Sequence, residues 1–199
     1  MLATTMRLPP DLRLALSPTE TYRQLIAEPV RGTWLRALER PALVAIVIGT
    51  AVTLSSARRV PPGLVLMGIA CWSFVPLTQW LIGLVVIGRA RGRPLSVPRC
   101  LELLFAGHLP WSLWTLVMVG LYSFTPVPMV LPAQVLSLLV PAVWTTIIVS
   151  AFCRTALGCT PWRARMLTAA HQAMTWTAFF AYLYLVSGFW PRVLAFVGA

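Results

Sequence analysis

The sequence predicts an all-α membrane protein: a bundle of five transmembrane helices preceded by short amphipathic interfacial helices. Three observations predict it. Hydrophobic residues fill 58% of the 199 positions and charged residues only 11%, where a soluble domain carries roughly a quarter charged residues. A chain this apolar cannot hide its hydrophobic surface in one water-exposed core, so lipid is the solvent it suits. The apolar residues also fall into five runs parted by turns rich in Pro or Arg, and the Arg residues favour alternate turns.

The length suits one bundle, with residues 1–40 as a cytoplasmic or interfacial arm and 41–199 as the membrane domain. Residues 1–16 mix Arg and Leu around Pro9 and Pro10 and read as an irregular tail near the membrane. Ser17-Pro18-Thr19-Glu20 has the pattern of a capping box with Pro at the first helical position, which predicts a helix to about Ala27. Tyr22, Leu25 and Ile26 share one face of it at helical spacing, and Pro29 stops it. A second short helix is expected over 30–40. Val30, Trp34 and Leu38 line one stripe with Leu35 beside them, and Arg31, Arg36, Glu39 and Arg40 flank it. An apolar face holding Trp, edged by Arg, suits a helix lying in the headgroup plane; a cytoplasmic helix packed on the bundle would show the same pattern.

Pro41 then opens the first span, 42–57, which is short against the ~20 residues a hydrocarbon core needs. The second span, 63–87, holds Cys71, Pro76 and Gln79. An Arg-rich turn follows, with Arg89, Arg91, Arg93 and Arg99. The third span covers 101–124 with a kink expected at Pro110. A Pro-rich reversal leads to the fourth span, 132–152, and a basic turn over 154–165 leads to the fifth, 167–186.

The formal charge is +11, and all 16 basic residues are Arg. The Arg residues lie beside apolar spans, so topology and attraction to anionic lipid explain them. Nucleic acid is not expected as a partner, because no soluble element that could read a duplex is present. Five spans put the termini on opposite sides. The arm, the 88–101 turn and the 154–165 turn together carry thirteen Arg; the other side carries Arg58, Arg59 and Arg192. The positive-inside rule then predicts a cytoplasmic N-terminus and an outside C-terminus. No secretory signal is expected, since the first apolar run begins only after about forty residues.

Chemistry-bearing residues are few. No paired intramembrane carboxylates exist, which argues against an enzyme and against an ion-coupled carrier. Cys71, Cys100, Cys153 and Cys159 form no CxxC pair, and His108 and His171 belong to no HxxxH or HExxH spacing, so no metal or cofactor is expected. Cys153 and Cys159 flank a cytoplasmic turn, as small buried hydrophobes or as sites of acylation. A polar path past Gln79, His108 and Gln134, with His171 near the same level, is the alternative use of the interior. In the fifth span Ala169, Ala173, Thr177 and Ala181 form a small-residue stripe that lets another helix approach closely, from this bundle or from a partner chain.

The segment LIGLVVIGRARGRPLSVPRCLELLFAGHLPWSLWTLV places Gly88, Gly92, Ser96 and Pro110 after a span, in a turn and a dozen residues on. Upstream, LSPTETYRQLIAEPVRGTWLRALERPAL spaces Pro18, Tyr22, Pro29 and Pro41 ahead of the first span. In these features the chain resembles bacterial members of the Yip1 family, by pattern and up to about Val119. The Asp-Leu-Tyr-Gly-Pro box of eukaryotic members is absent, and with it any implied GTPase link. The resemblance implies five transmembrane helices in a bacterial inner membrane, a cytoplasmic N-terminus and no catalytic residues.

The expectation is therefore a non-enzymatic, Yip1-like scaffold that organises membrane or binds a membrane-protein partner or a second copy. Anionic lipid would be engaged by Arg31, Trp34, Arg36, Arg40, Arg89, Arg91 and Arg93. A small transporter or channel subunit, or a membrane subunit of a larger complex, is the alternative. A bundle filled by its own side chains would favour the scaffold; a polar cavity near the midplane would favour transport.

Overall fold

A computed structural model describes residues 8–30, 32–57, 61–90, 95–124, 133 and 136–185. Every regular element among them is helical: α1 (Pro10–Leu16), α2 (Pro18–Ala27), α3 (Trp34–Ala57), α4 (Pro62–Trp72), α5 (Phe74–Arg89), α6 (Val97–Ala106), α7 (Leu109–Phe124), α8 (Leu139–Thr155) and α9 (Pro161–Tyr184). Three continuous helical stretches, Trp34–Leu54, Pro62–Arg89 and Val97–Leu121, are long and apolar enough to cross a membrane, and α8 is a shorter apolar helix.

Prolines explain where the long stretches break. Pro76 has no N–H for the Trp72 carbonyl, and α4 gives way to α5 at Ser73, whose hydroxyl donates to the Ala70 carbonyl at 2.7 Å. Pro110 likewise leaves the Ala106 carbonyl without a helical donor, and α6 gives way to α7 at Gly107 and His108, where the kink was expected. Pro41 behaves differently. It lies inside α3, so the separate interfacial helix expected over 30–40 is instead the first part of the first long helix. Pro41 forfeits one bond, to Ala37, and Leu, Ala, Arg and Glu on either side carry the helix through. That helix starts at a cap: the Thr33 hydroxyl accepts the Arg36 N–H at 3.3 Å.

The N-terminal arm also departs from expectation. Residues 10–16, read as an irregular tail, form α1. The Ser17 side chain does not cap α2, so the capping box is not formed; Glu20 instead pairs with Arg23 at 3.3 Å. The α1–α2 hairpin does not lie over the bundle but is wedged into it. Leu14 and Tyr22 are completely buried in the same core as Val86, Leu101 and Phe152. Tyr22 Oη donates to the Leu103 carbonyl at 3.3 Å, and Trp144 Nε1 in α8 donates to the Ala15 carbonyl at 2.8 Å. Leu14, Ala15, Tyr22 and Leu25 are too apolar to stay in the headgroups when a groove between helices can bury them.

At the crossing of α3 and α4, Gly49 and Gly68 face each other: a Cβ at Gly49 would meet the Ile69 backbone, and one at Gly68 would meet the Thr53 side chain. This close approach of small residues suits helices in lipid, and Thr53 Oγ1 turns back to its own helix, donating to the Gly49 carbonyl at 2.7 Å. The α8–α9 turn reverses through Gly158, at φ 63°, a conformation that glycine adopts without strain.

Candidate functional site

The fold leaves a cavity of about 450 Å³ among α3, α4, α5, α7, α8 and α9. Its polar groups fall in one layer. Gln79 lies ten residues before the end of α5, Thr145 ten before the end of α8, and His171 ten after the start of α9. His108 lies eleven residues after the start of α6. At ~1.5 Å per residue each is about 15 Å from the Arg-rich end, half the ~30 Å hydrocarbon thickness. Beyond this layer the walls are aromatic: Trp72, Trp111, Trp114, Trp176, Phe179 and Phe180. Trp111 and Trp176 meet edge to face with centroids 5.6 Å apart, and Trp176 stacks on Phe180 at 5.7 Å. Trp114 Nε1 donates to Ser137 Oγ at 3.1 Å, which fixes that indole's direction.

His108 forms one wall of the layer. Its Nε2 lies 3.0 Å from Gln79 Oε1 and its Nδ1 3.3 Å from Ser112 Oγ. Gln79 Oε1 can only accept, so the network assigns the proton to Nε2 and leaves Nδ1 to accept from the Ser112 hydroxyl. His171 has the opposite character. It is only 6% exposed, and its Nδ1 is buried without a hydrogen-bond partner among the described residues. The hydroxyls of Thr145 and Thr175, which line the same cavity, are also buried and unpartnered. Such atoms cost roughly 1–3 kcal/mol each unless something satisfies them. Among the described residues no Asp, Glu or Arg lines the cavity.

The structure thus brings three of the four residues of the expected polar path to one cavity: Gln79, His108 and His171. The fourth, Gln134, lies outside the described residues, as do Arg31, Arg91, Arg93, Arg58 and Arg59. Among the described residues no three His, Cys, Asp or Glu side chains are placed to hold a metal ion. The Cys100 and Cys153 side chains are buried. In the α8–α9 turn, burial pushes the Cys159 thiol up from its ordinary range, with Arg163 opposing.

The residues expected to meet lipid separate into different settings. Trp34 is half exposed, with its ring 6.0 Å from Trp80. Arg36 is exposed, Arg40 bonds Asp11 at 2.6 Å, and the Arg89 carbonyl accepts from Arg163. Ala169, Ala173, Thr177 and Ala181 are all exposed, so the small stripe faces away from this bundle; the inward face of α9 is Ala164, Thr168 and His171. Sequence reading missed Thr175 and the aromatic walls. The spacing of His171, Thr175 and Phe179 by four residues was the available signal. No protein-family model, curated protein or solved structure matches this chain.

Proposed function

We propose that this chain is a five-span integral membrane protein of a bacterial inner membrane, with a cytoplasmic N-terminus, that takes up an uncharged amphiphile in its midplane cavity. The observation that carries the reading is the buried, unpartnered trio of His171 Nδ1, Thr145 Oγ1 and Thr175 Oγ1 on the cavity wall. Its polar atoms suit a compact hydroxyl, carbonyl or amide head, and its aromatic walls suit an apolar body. A volume of about 450 Å³ is in the range of small-molecule sites, ~300–1,000 Å³. The role is that of a carrier or receptor, with no covalent chemistry assigned. Five spans follow if α8 and α9, with their flanking residues, cross beside the three long stretches, and the Arg bias supports the orientation. The Yip1-like outline supports the same count and direction.

A brominated fatty alcohol tests the site. It should quench the cavity tryptophans saturably in the purified protein. His171→Leu with Thr145→Val should weaken that binding about tenfold or more, since each lost hydrogen bond is worth about 1 kcal/mol. Quenching that never saturates, or that the double variant leaves unchanged, would overturn the reading. One observation favours the scaffold as a second role: the outward stripe on α9 is open to a partner helix or a second copy.

A further inference from the structure

A second cavity, of about 670 Å³, runs along the outside of the bundle between α3 and the α6–α7 pair. Its two ends differ in chemistry. At the Arg-rich end it is lined by Asp11, Arg36, Glu39, Arg40 and Glu102; farther along it is lined by Leu43, Val47, Leu109 and Leu116. From Arg36 to Val47 is eleven residues and from Glu102 to Leu116 fourteen, so the groove is about 16–21 Å long. A single leaflet, headgroup included, is ~20 Å deep. Leu43 and Leu116 are more than half exposed, so the groove opens towards lipid along its length.

The charges at its mouth select among headgroups. Arg40 and Asp11 neutralise each other at 2.6 Å. Arg36 and Glu39 are exposed and make no ion pair among the described residues. Glu102 Oε1 accepts from Arg99 at 2.9 Å, while its Oε2 is buried with no partner. Among the described residues the mouth therefore offers one cation outside an ion pair, Arg36, and two carboxylates with acceptor capacity, Glu39 and Glu102. A phosphate alone would meet Arg36 but lie beside the like charge of Glu39 and bring no donor for Glu102 Oε2. A choline would bring a positive charge without an N–H for Glu102 Oε2. A primary ammonium beside a phosphate answers all three groups.

We propose that this groove is a binding site for one aminophospholipid of the phosphatidylethanolamine type, from the leaflet at the Arg-rich side. Its phosphate sits on Arg36, its ammonium between Glu39 and Glu102, and one acyl chain lies along Leu43, Val47, Leu109 and Leu116. The site shares His108 with the midplane cavity but none of His171, Thr145 or Thr175, so it does not depend on what that trio holds.

The full-length protein in nanodiscs of equal parts palmitoyl-oleoyl phosphatidylethanolamine, phosphatidylcholine and phosphatidylglycerol tests this, with retained lipid counted by native mass spectrometry. One retained phosphatidylethanolamine per chain is expected. Arg36→Gln with Glu39→Gln, both at the exposed rim, should lower its retention about tenfold relative to phosphatidylcholine, and Leu43→Trp should displace it. Both variants should melt within a few degrees of the parent, which separates loss of the site from loss of the fold. His171→Leu with Thr145→Val should leave it bound. Equal retention of the three lipids, preference for phosphatidylglycerol, or loss of the lipid in the His171 and Thr145 variant each overturns the assignment.

Discussion

Arg99 and Tyr22 show how far a side chain's role can depart from its type. Arg99 counts with the topological arginines in sequence, yet it is 6% exposed. It donates to the Leu25 carbonyl at 2.8 Å and to Glu102 at 2.9 Å, so it ties the end of α2 to the start of α6. No local pattern could announce that, because Leu25 and Arg99 are 74 positions apart. Gln79 and His108 were legible, since polar residues inside apolar runs draw attention by themselves. Thr175 was not, because a threonine in a membrane helix usually bonds its own backbone. Tyr22 was legible as a helix-face residue, but not as the core of the molecule. Burial holds its phenol well above the ordinary value, with Cys153 adding to the effect and Arg40 opposing it. The folded state therefore keeps this proton after the unfolded chain has lost it. The stability it contributes is full below about pH 10 and falls as pH rises from there. Tyr22→Phe should cost about 1 kcal/mol near neutrality, from the bond to Leu103, and should flatten the alkaline decline. Thermal unfolding in detergent between about pH 8 and pH 11 decides it; a variant that declines as steeply as the parent contradicts the account.

At the scale of elements, the prolines were good guides to breaks and, at Pro29, to a helix end; Pro41 was the exception. Pro110 and Pro76 mark interruptions within long helices. Pro41 ends nothing, because the residues around it favour helix on both sides. The small stripe of α9 was legible as a stripe, but its direction depends on where α5 and α8 stand, which no local sequence records. Direction has a measurable consequence. Ala173→Leu and Thr177→Leu should each change the melting of the monomer by less than ~0.5 kcal/mol, as surface substitutions do. Gly49→Leu, set against the Ile69 backbone, should cost about 1–3 kcal/mol or more through overpacking of the α3–α4 crossing. Detergent melts of the three variants compare them directly; a large loss in the α9 variants would mean that the stripe packs within the bundle after all.

For the whole molecule, composition was enough to read a helical membrane protein, and the three long apolar stretches agree with it. The depth of the polar layer was also readable in principle, since it follows from counting residues back from each Arg-rich turn. What could not be read is that four helices bring that layer to one cavity. On the proposed five-span reading, a cytoplasm-active reporter fused after Arg165 works and the same reporter at Ala199 does not; activity at Ala199 would put both ends on one side and remove a span.

The wedged α1–α2 hairpin bears on the order of events at the ribosome. Ala15 is held by Trp144, 129 positions downstream, and Tyr22 by Leu103, 81 positions downstream. α1 and α2 are synthesised before α6 and α8 and have no berth until those have emerged, so they are among the last helices to reach their native place.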